Sequence, residues 1–149
     1  MTEITKIHAR VWTANVGGAE THSWIYLGFG GREFLLDTAD TDFQVGMDQT
    51  FILGEGSNLT TPEYNDPRTP PLNTDDLRYF PVYLRMEGAG SVQPWCIEWA
   101  SVHVNPGTPS ELRYTHPSLK EVDEQHRIWL DDRYGKALYL RPDHDSEPH

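Results

Sequence analysis

Apolar and polar residues alternate with a period of two along most of this chain, a pattern typical of β-strands rather than helices. In residues 7–13, for example, Ile7, Ala9 and Val11 share one face, and histidine, arginine and tryptophan residues occupy the other. The same alternation predicts strands over residues 21–29, 32–36, 49–53, 79–86, 94–104, 126–130 and 136–140. About eight strands of this kind favour an all-β fold, either an antiparallel sandwich or a barrel.

Three local features refine these predicted strands. Gly30 and Gly31 stand between two of them and indicate a hairpin turn, because glycine tolerates the positive φ that such turns need. In residues 94–104 the apolar phase changes after Trp99, which is what a β-bulge produces. Pro81 lies on the polar phase of residues 79–86, which indicates an edge strand where a missing N–H is harmless.

Other segments interrupt the alternation. The proline-rich loop over residues 54–77 is long enough that it is expected to be either functional or disordered, and both readings stay open. Residues 105–115 form a second irregular stretch, and the spacing of Ser118 and Glu121 fits the capping box of a short helix. We expect a single domain over residues 1–142, followed by a disordered tail over 143–149.

Composition narrows the classes of partner. The chain has 12 Lys and Arg residues against 23 Asp and Glu residues, a net charge of −11, which argues against nucleic acid. An anionic membrane is disfavoured for the same reason unless a cation bridges the two surfaces. The single cysteine, Cys96, excludes an internal disulfide and a cysteine-rich zinc site. No apolar run is long enough for a membrane span or a signal peptide, so we expect a cytoplasmic protein.

Three motifs occur in the order and approximate spacing of one β-sandwich family. Residues 18–27 read GAETHSWIYL, residues 42–51 read DFQVGMDQTF, and residues 84–88 and 94–98 read LRMEG and PWCIE. Together these segments resemble PLAT domains (polycystin, lipoxygenase, alpha-toxin), over roughly residues 5–104. The resemblance implies a PLAT-like antiparallel β-sandwich of two four-stranded sheets.

The resemblance also implies a role in docking rather than catalysis. PLAT domains attach enzymes or channels to lipid or protein partners, often through calcium. We therefore expect a stand-alone binding module that docks onto a protein partner or, with calcium, onto a lipid surface.

Acidic residues predict a candidate calcium site. Asp37, Asp40 and Asp42 lie within six residues, and calcium takes six to eight oxygen ligands from such loops. By resemblance, the calcium loops of the family correspond to residues 20–22, 40–42 and the turn at Glu87. The candidate ligands are thus Glu20, Thr21, Asp37, Asp40, Asp42 and Glu87.

Two alternatives to calcium remain at this site. His22 stands where the family carries an aspartate, which weakens at least one calcium site, because imidazole is a poor calcium ligand. His22 with Asp40 or Asp42 would suit a transition metal better. The acidic residues are also typical of a solvated turn with no ligand.

Aromatic residues on the polar phase of their strands form the second candidate site. Trp12, Trp24 and Tyr26 are the predicted partner-binding residues, and Tyr79 and Tyr83 share their phase. Several of them on one sheet face would make a platform for a protein partner. The alternative function is a carbohydrate-binding β-sandwich whose exposed aromatics stack on sugar rings, and such residues also simply cover neighbouring strands.

Motifs of catalysis are missing from the sequence. It contains no Gly-x-Ser-x-Gly, no His-Glu-x-x-His and no glycine-rich phosphate loop ahead of a helix. Cys96 lies inside a predicted strand, where a free cysteine behaves as a small buried apolar residue. We therefore expect that the chain is not an enzyme.

Overall fold

A computed structural model describes residues 2–88, 94–119, 127–131, 133 and 135–143. Almost all of its regular structure is β. The strands within these residues are β1 (Lys6–Thr13), β2 (Trp24–Phe29), β3 (Arg32–Leu35), β4 (Asp48–Gly54), β5 (Val82–Glu87), β6 (Trp95–Val104), β7 (Leu112–Thr115), β8 (Ile128–Leu130) and β9 (Ala137–Pro142). Two short 3-10 helices, η1 (Thr74–Tyr79) and η2 (Pro117–Leu119), lie between strands. The predicted all-β class is confirmed.

The strands form two antiparallel layers that share one strand. Their order is β3-β2-β5-β9-β7-β6-β1-β4, and β8 pairs with β6. β9 pairs with β5 through residues 137–140 and with β7 through residues 141–142, so it passes from one layer to the other. The layers are therefore β3-β2-β5-β9 and β4-β1-β6-β7, the two four-stranded sheets that the sequence predicts.

The apolar phase of each strand faces the space between the layers. Ile7 on β1 and Leu27 on β2 are fully buried there, with side chains from both layers around them. Phe43 packs against Phe51 with ring centroids 5.3 Å apart and against Trp95 at 5.1 Å. Removing this apolar surface from water is the main stabilising contribution to the fold.

The β-bulge predicted in the longest strand is confirmed. Trp12 of β1 lies opposite Trp99 of β6, whereas Thr13 lies opposite Ile97, so Glu98 is the additional residue. Before the bulge Trp95 and Ile97 belong to the apolar core, and after it Ala100, Val102 and Val104 do, so the core-facing phase changes. The extra residue thus lets β6 stay in contact with the core along its whole length.

The proline-rich loop covers the free edges of the two layers. β3 and β4 end the strand order, so each has an edge without a neighbouring strand in the described part of the chain. The side chain of Asn58 accepts a hydrogen bond from Ile52 N–H (2.8 Å) and donates one to the Thr50 carbonyl (2.9 Å). Asn65 accepts a hydrogen bond from Leu35 N–H (2.7 Å). The loop is therefore ordered along these edges, and it shields strand groups that would otherwise invite pairing with other chains.

Several predicted boundaries are wrong. Residues 105–115 include β7, which pairs with both β6 and β9. β2 begins at Trp24 rather than at residue 21, because Thr21 forms a turn in which its Oγ1 accepts a hydrogen bond from Ser23 N–H (3.1 Å). A short 3-10 helix, η2, covers residues 117–119, whereas the predicted capping-box helix after Ser118 extends to Glu121 and so lies partly outside the described residues, as do residues 144–149 of the predicted tail.

The edge position inferred from Pro81 is also wrong. β5 lies between β2 and β9, in the middle of its layer. Tyr79 belongs to η1, and Pro81 precedes the first residue of β5, so its missing N–H costs no ladder hydrogen bond. No helix in the described residues is both long and apolar enough to cross a bilayer.

Candidate functional site

A pocket opens where the loop before β2 meets the loop between β3 and β4. Its volume is about 160 Å³. The polar side chains that line it include Thr21, His22, Asp37, Asp40 and Asp42, and Trp24 stands beside them. The structure thus brings four of the six predicted calcium ligands together around one cavity, called here the acidic pocket, whereas Glu20 and Glu87 do not line it.

Asp42 organises the loop that forms one wall of the acidic pocket. Its carboxylate accepts hydrogen bonds from Thr38 N–H (2.8 Å), from Thr38 Oγ1 (2.6 Å) and from Gln49 Nε2 (2.7 Å). Phe43 follows with a φ of 60°, and its N–H donates to Gln49 Oε1 at 2.8 Å. An aspartate that holds nearby backbone groups in this way stabilises the turn itself.

The remaining acidic candidates differ in how they are held. Asp37 accepts a hydrogen bond from Thr60 Oγ1 (2.8 Å), which connects the pocket to the proline-rich loop. The carboxylate of Asp40 is exposed and has no hydrogen bond to any described residue. Glu20 has a buried carboxylate oxygen without a hydrogen-bond partner, and Glu87 lies 3.4 Å from Arg85.

These carboxylates do not fit calcium in their present arrangement. Among the described residues, no three His, Cys, Asp or Glu side chains converge on a common metal position. Three hydrogen bonds already use the carboxylate of Asp42 and one from Thr60 uses that of Asp37, so a calcium ion would compete with them for the carboxylate oxygens. His22 offers nitrogen where calcium takes oxygen ligands. The calcium set, and the mixed metal site at His22, stay predictions.

The predicted partner-binding aromatics lie on two different surfaces. Trp24 and Tyr26 project from β2 on the outer face of the β3-β2-β5-β9 layer, and Trp24 is 46% exposed. Trp12 projects from β1 on the outer face of the other layer, where it lies half-buried opposite Trp99. The structure therefore brings Trp24 and Tyr26 onto one face and leaves Trp12 apart from them.

Two further tyrosines extend the outer face of the β3-β2-β5-β9 layer. Tyr83 of β5 and Tyr139 of β9 lie directly opposite one another, and their ring centroids are 5.7 Å apart. The guanidinium of Arg85 lies over the ring of Tyr26 at 4.7 Å. We call Tyr26, Tyr83, Arg85 and Tyr139 the tyrosine face. The outward phase of Tyr83 was visible in the sequence, but the pairing with Tyr139 depends on strand register.

Glu33 holds the tyrosine face in place. It accepts two hydrogen bonds from Arg85, at 2.8 and 2.9 Å, and one from the hydroxyl of Tyr83 at 2.8 Å. The hydrogen bond from Arg85 holds the pKa of Glu33 below its usual value, and the hydrogen bond to Glu33 raises the pKa of Arg85. Partial burial raises the pKa of Tyr83, so the face keeps this protonation state over the physiological pH range.

The one cysteine is placed as predicted. Cys96 is fully buried on β6, and burial raises the pKa of its thiol to about 11. The thiolate that a nucleophile needs is therefore scarce at neutral pH.

Comparison with known proteins identifies the fold. No protein-family model and no curated protein sequence matches this chain. The alpha-toxin from Clostridium absonum superposes with a TM-score of 0.62 and 18% identity, over 94% of this chain and 32% of the toxin. The alpha-toxin from an avian strain of Clostridium perfringens gives 0.60 and 16%, over 93% of this chain and 31% of that chain.

A lipoxygenase (LOX) variant in complex with arachidonate superposes with a TM-score of 0.55 and 14% identity, over 93% of this chain and 16% of the enzyme. This chain therefore spans less than a third of each of these three proteins. The matches confirm the PLAT-like β-sandwich fold that the sequence motifs resemble. At these identities the likeness concerns the fold.

Proposed function

We propose that this chain is a non-catalytic binding module whose acidic pocket receives a cationic side chain of a protein partner. The observation that carries the proposal is the pocket itself, in which Asp37, Asp40 and Asp42 line one cavity beside the exposed ring of Trp24. The PLAT-like fold supports a docking role, because it occupies only part of the larger proteins that share it.

The chemistry of the pocket favours a lysine or arginine side chain. Asp42 and Asp37 are held by hydrogen bonds, so their charges are fixed before a partner arrives. Asp40 adds a carboxylate that is free of protein hydrogen bonds in the described residues. An indole within about 6 Å of a cation attracts it through the negative face of the ring. Trp24 lines the same pocket as the three aspartates, so its ring would be the one to contact such a cation.

The net charge of the chain favours a protein partner over a lipid surface. A chain with a net charge of −11 is repelled by anionic lipid headgroups, and only a bridging cation would reverse this. Two of the three pocket carboxylates, those of Asp37 and Asp42, are already engaged in hydrogen bonds, so calcium-assisted lipid docking is the second expectation. Trp24 at the start of β2 and Val45 in the loop between β3 and β4 are both exposed and would suit that surface as well.

An amide-resolved NMR titration tests the proposal without a known partner. The probes are N-acetyl-arginine amide and N-acetyl-lysine amide, with N-acetyl-glutamine amide as the neutral probe. We expect saturable shift changes concentrated in residues 20–24 and 37–43 with the cationic probes only. Asp40→Asn and Trp24→Ala weaken the effect, whereas Glu55→Gln, which also removes an exposed charge, leaves it unchanged.

Two results would contradict the proposal. Shifts scattered over the acidic surface, equal for Asp40→Asn and Glu55→Gln, would show general charge attraction without a site. Co-sedimentation with phosphatidylserine vesicles that needs calcium and is lost in Asp40→Asn would assign the pocket to lipid docking instead.

A further inference from the structure

The ring of Tyr83 lies close to the sheet because a glycine, Gly28, lies beneath it. A Cβ atom on Gly28 of β2 would come within 2.1 to 2.5 Å of three ring atoms of Tyr83. The hydroxyl end of the Tyr83 ring therefore lies directly on the backbone of β2. Any larger residue at position 28 would lift the ring away from the sheet. This arrangement turns one face of an aromatic ring toward solvent.

The surface around that ring is continuous. Tyr139, on the next strand, is 60% exposed, and its ring packs against that of Tyr83 with the two ring planes inclined by 55°. On the other side, the guanidinium of Arg85 covers Tyr26 as a second flat layer. Two pairs of planar groups, Tyr83 with Tyr139 and Arg85 with Tyr26, therefore lie side by side across the β-strands, and the sheet sets their spacing.

The same face keeps free hydrogen-bonding groups beside its rings. A carboxylate has about four acceptor positions, of which Glu33 uses three, and a guanidinium has five N–H groups. The bonds of Arg85 to Glu33 and Glu87 use Nε and Nη2, which leaves Nη1 without a partner in the described residues. One acceptor and two donors are therefore held rigidly next to an apolar ring.

We propose that the tyrosine face binds the sugar rings of a neutral polysaccharide. The C–H groups of a pyranose ring carry partial positive charge and pack on the negative face of an aromatic ring. The hydroxyl groups at the edge of the sugar match the free groups of Glu33 and Arg85. This site is separate from the acidic pocket and does not rest on the function proposed for it.

Charge and shape select this ligand among others that stack on aromatic residues. Arg85 with Glu33 and Glu87 leaves the face with one negative charge, in a chain of −11, so nucleic acids and anionic polysaccharides are repelled. A polyproline peptide fits a groove lined by aromatic side chains, whereas these rings lie on the open outer face of a sheet. A neutral, flat and hydroxyl-rich ligand meets all of these conditions.

Affinity electrophoresis in native gels tests the proposal. The probes are hydroxyethyl cellulose, laminarin, galactomannan and amylose, with carboxymethyl cellulose as an anionic control. We expect at least one neutral polysaccharide to retard the chain. Tyr139→Ala should weaken that binding about tenfold, as expected for the loss of one aromatic contact, while Tyr139→Phe retains it. Tyr64→Ala, which removes an even more exposed tyrosine elsewhere, is the matched control and should behave as the unmodified chain.

Retardation by none of the neutral polysaccharides would overturn the proposal. So would retardation that Tyr139→Ala and Tyr64→Ala reduce equally, or retardation by carboxymethyl cellulose alone. Thermal melts of both variants show whether they fold. If Tyr139→Ala is unfolded, residue-resolved NMR shifts with cellohexaose and laminarihexaose replace it. Shifts outside the strands β2, β5 and β9 would then reject the site.

Discussion

Gly28 shows how a single residue decides the shape of a surface. Its backbone φ is ordinary, so an alanine at this position is strained only by the ring of Tyr83, which lies where the methyl group would be. We expect Gly28→Ala to lower the free energy of unfolding by about 1–3 kcal/mol, the usual cost of overpacking. Urea denaturation measures it. Gly17→Ala, where nothing lies within 4 Å, is the control, and equal losses in both variants would contradict the packing argument.

Two histidines make stability depend on pH at the residue scale. His8 and His103 lie opposite each other on β1 and β6. Burial lowers the pKa of both imidazoles, Lys6 and Arg113 lower the pKa of His8 and His103 respectively, and Glu111 acts in the opposite direction. A histidine whose pKa is lower in the folded state is protonated first in the unfolded chain. The contribution of the neutral imidazoles to the free energy of unfolding is therefore fully present above a pH of about 6.5, and it falls as the pH drops below that value.

The free energy of unfolding, measured in urea between about pH 7.5 and pH 5.5, should consequently decline toward acid. Burial also lowers the pKa of His116, so His103→Gln removes one of three such groups and should flatten this decline in part. Asn15→Ala, which changes an exposed residue and removes no titratable group, should leave the slope unchanged. A stability that rises toward acid would show that protonation of the histidine pair favours the folded state.

At the scale of elements, the proline-rich loop replaces missing strand neighbours. Asn65→Ala removes the acceptor of Leu35 N–H, and Asn58→Ala removes both hydrogen bonds to the edge of β4. Each variant should lose about 1–3 kcal/mol of unfolding free energy, because a strand group is left without its partner. Hydrogen exchange should accelerate at Leu35 in the first variant and at Ile52 in the second. Asn15→Ala, at an exposed position after β1, should change neither, and acceleration throughout the chain would contradict a local role.

The elements also show which strands the alternation of apolar and polar residues predicts and which it misses. Strands of six or more residues were found because several alternating positions agree, and the bulge at Glu98 was visible as a change of phase. β7 was missed because Leu112–Thr115 offers only four residues beside prolines and a glycine. The role of Asn58 and Asn65 depends on which edges lie nearby, and that depends on the order of strands.

The two candidate sites also differ in how far the sequence alone predicts them. Asp37, Asp40 and Asp42 are close in sequence, so their clustering could be predicted without the fold. The tyrosine face joins strands far apart in the chain, and its members meet only through the register of Tyr83 with Gly28 and Tyr139. One residue of slip would turn these side chains into the core, and a single sequence does not determine that register.

At the scale of the whole molecule, general charge neutralisation by calcium and binding at a true calcium site differ in the size of the stabilisation that each would give. A net charge of −11 means that any divalent cation relieves some repulsion and stabilises the fold slightly. A true calcium site would add more, about 2.7 kcal/mol at a hundredfold excess over its dissociation constant. For a chain of this size that amounts to a melting shift of roughly 8 °C.

We expect no such shift, because the carboxylates of Asp37 and Asp42 already hold the loop through Thr60, Thr38 and Gln49. The melting temperature should rise equally, and only slightly, with calcium and with magnesium at the same concentration. Magnesium is the control for charge screening, since it demands a stricter octahedral geometry than a flexible loop supplies. A rise specific to calcium that Asp40→Asn abolishes would show that the loop rearranges into a calcium site. The acidic pocket would then bind calcium, and the proposal that it receives a cationic side chain would be wrong.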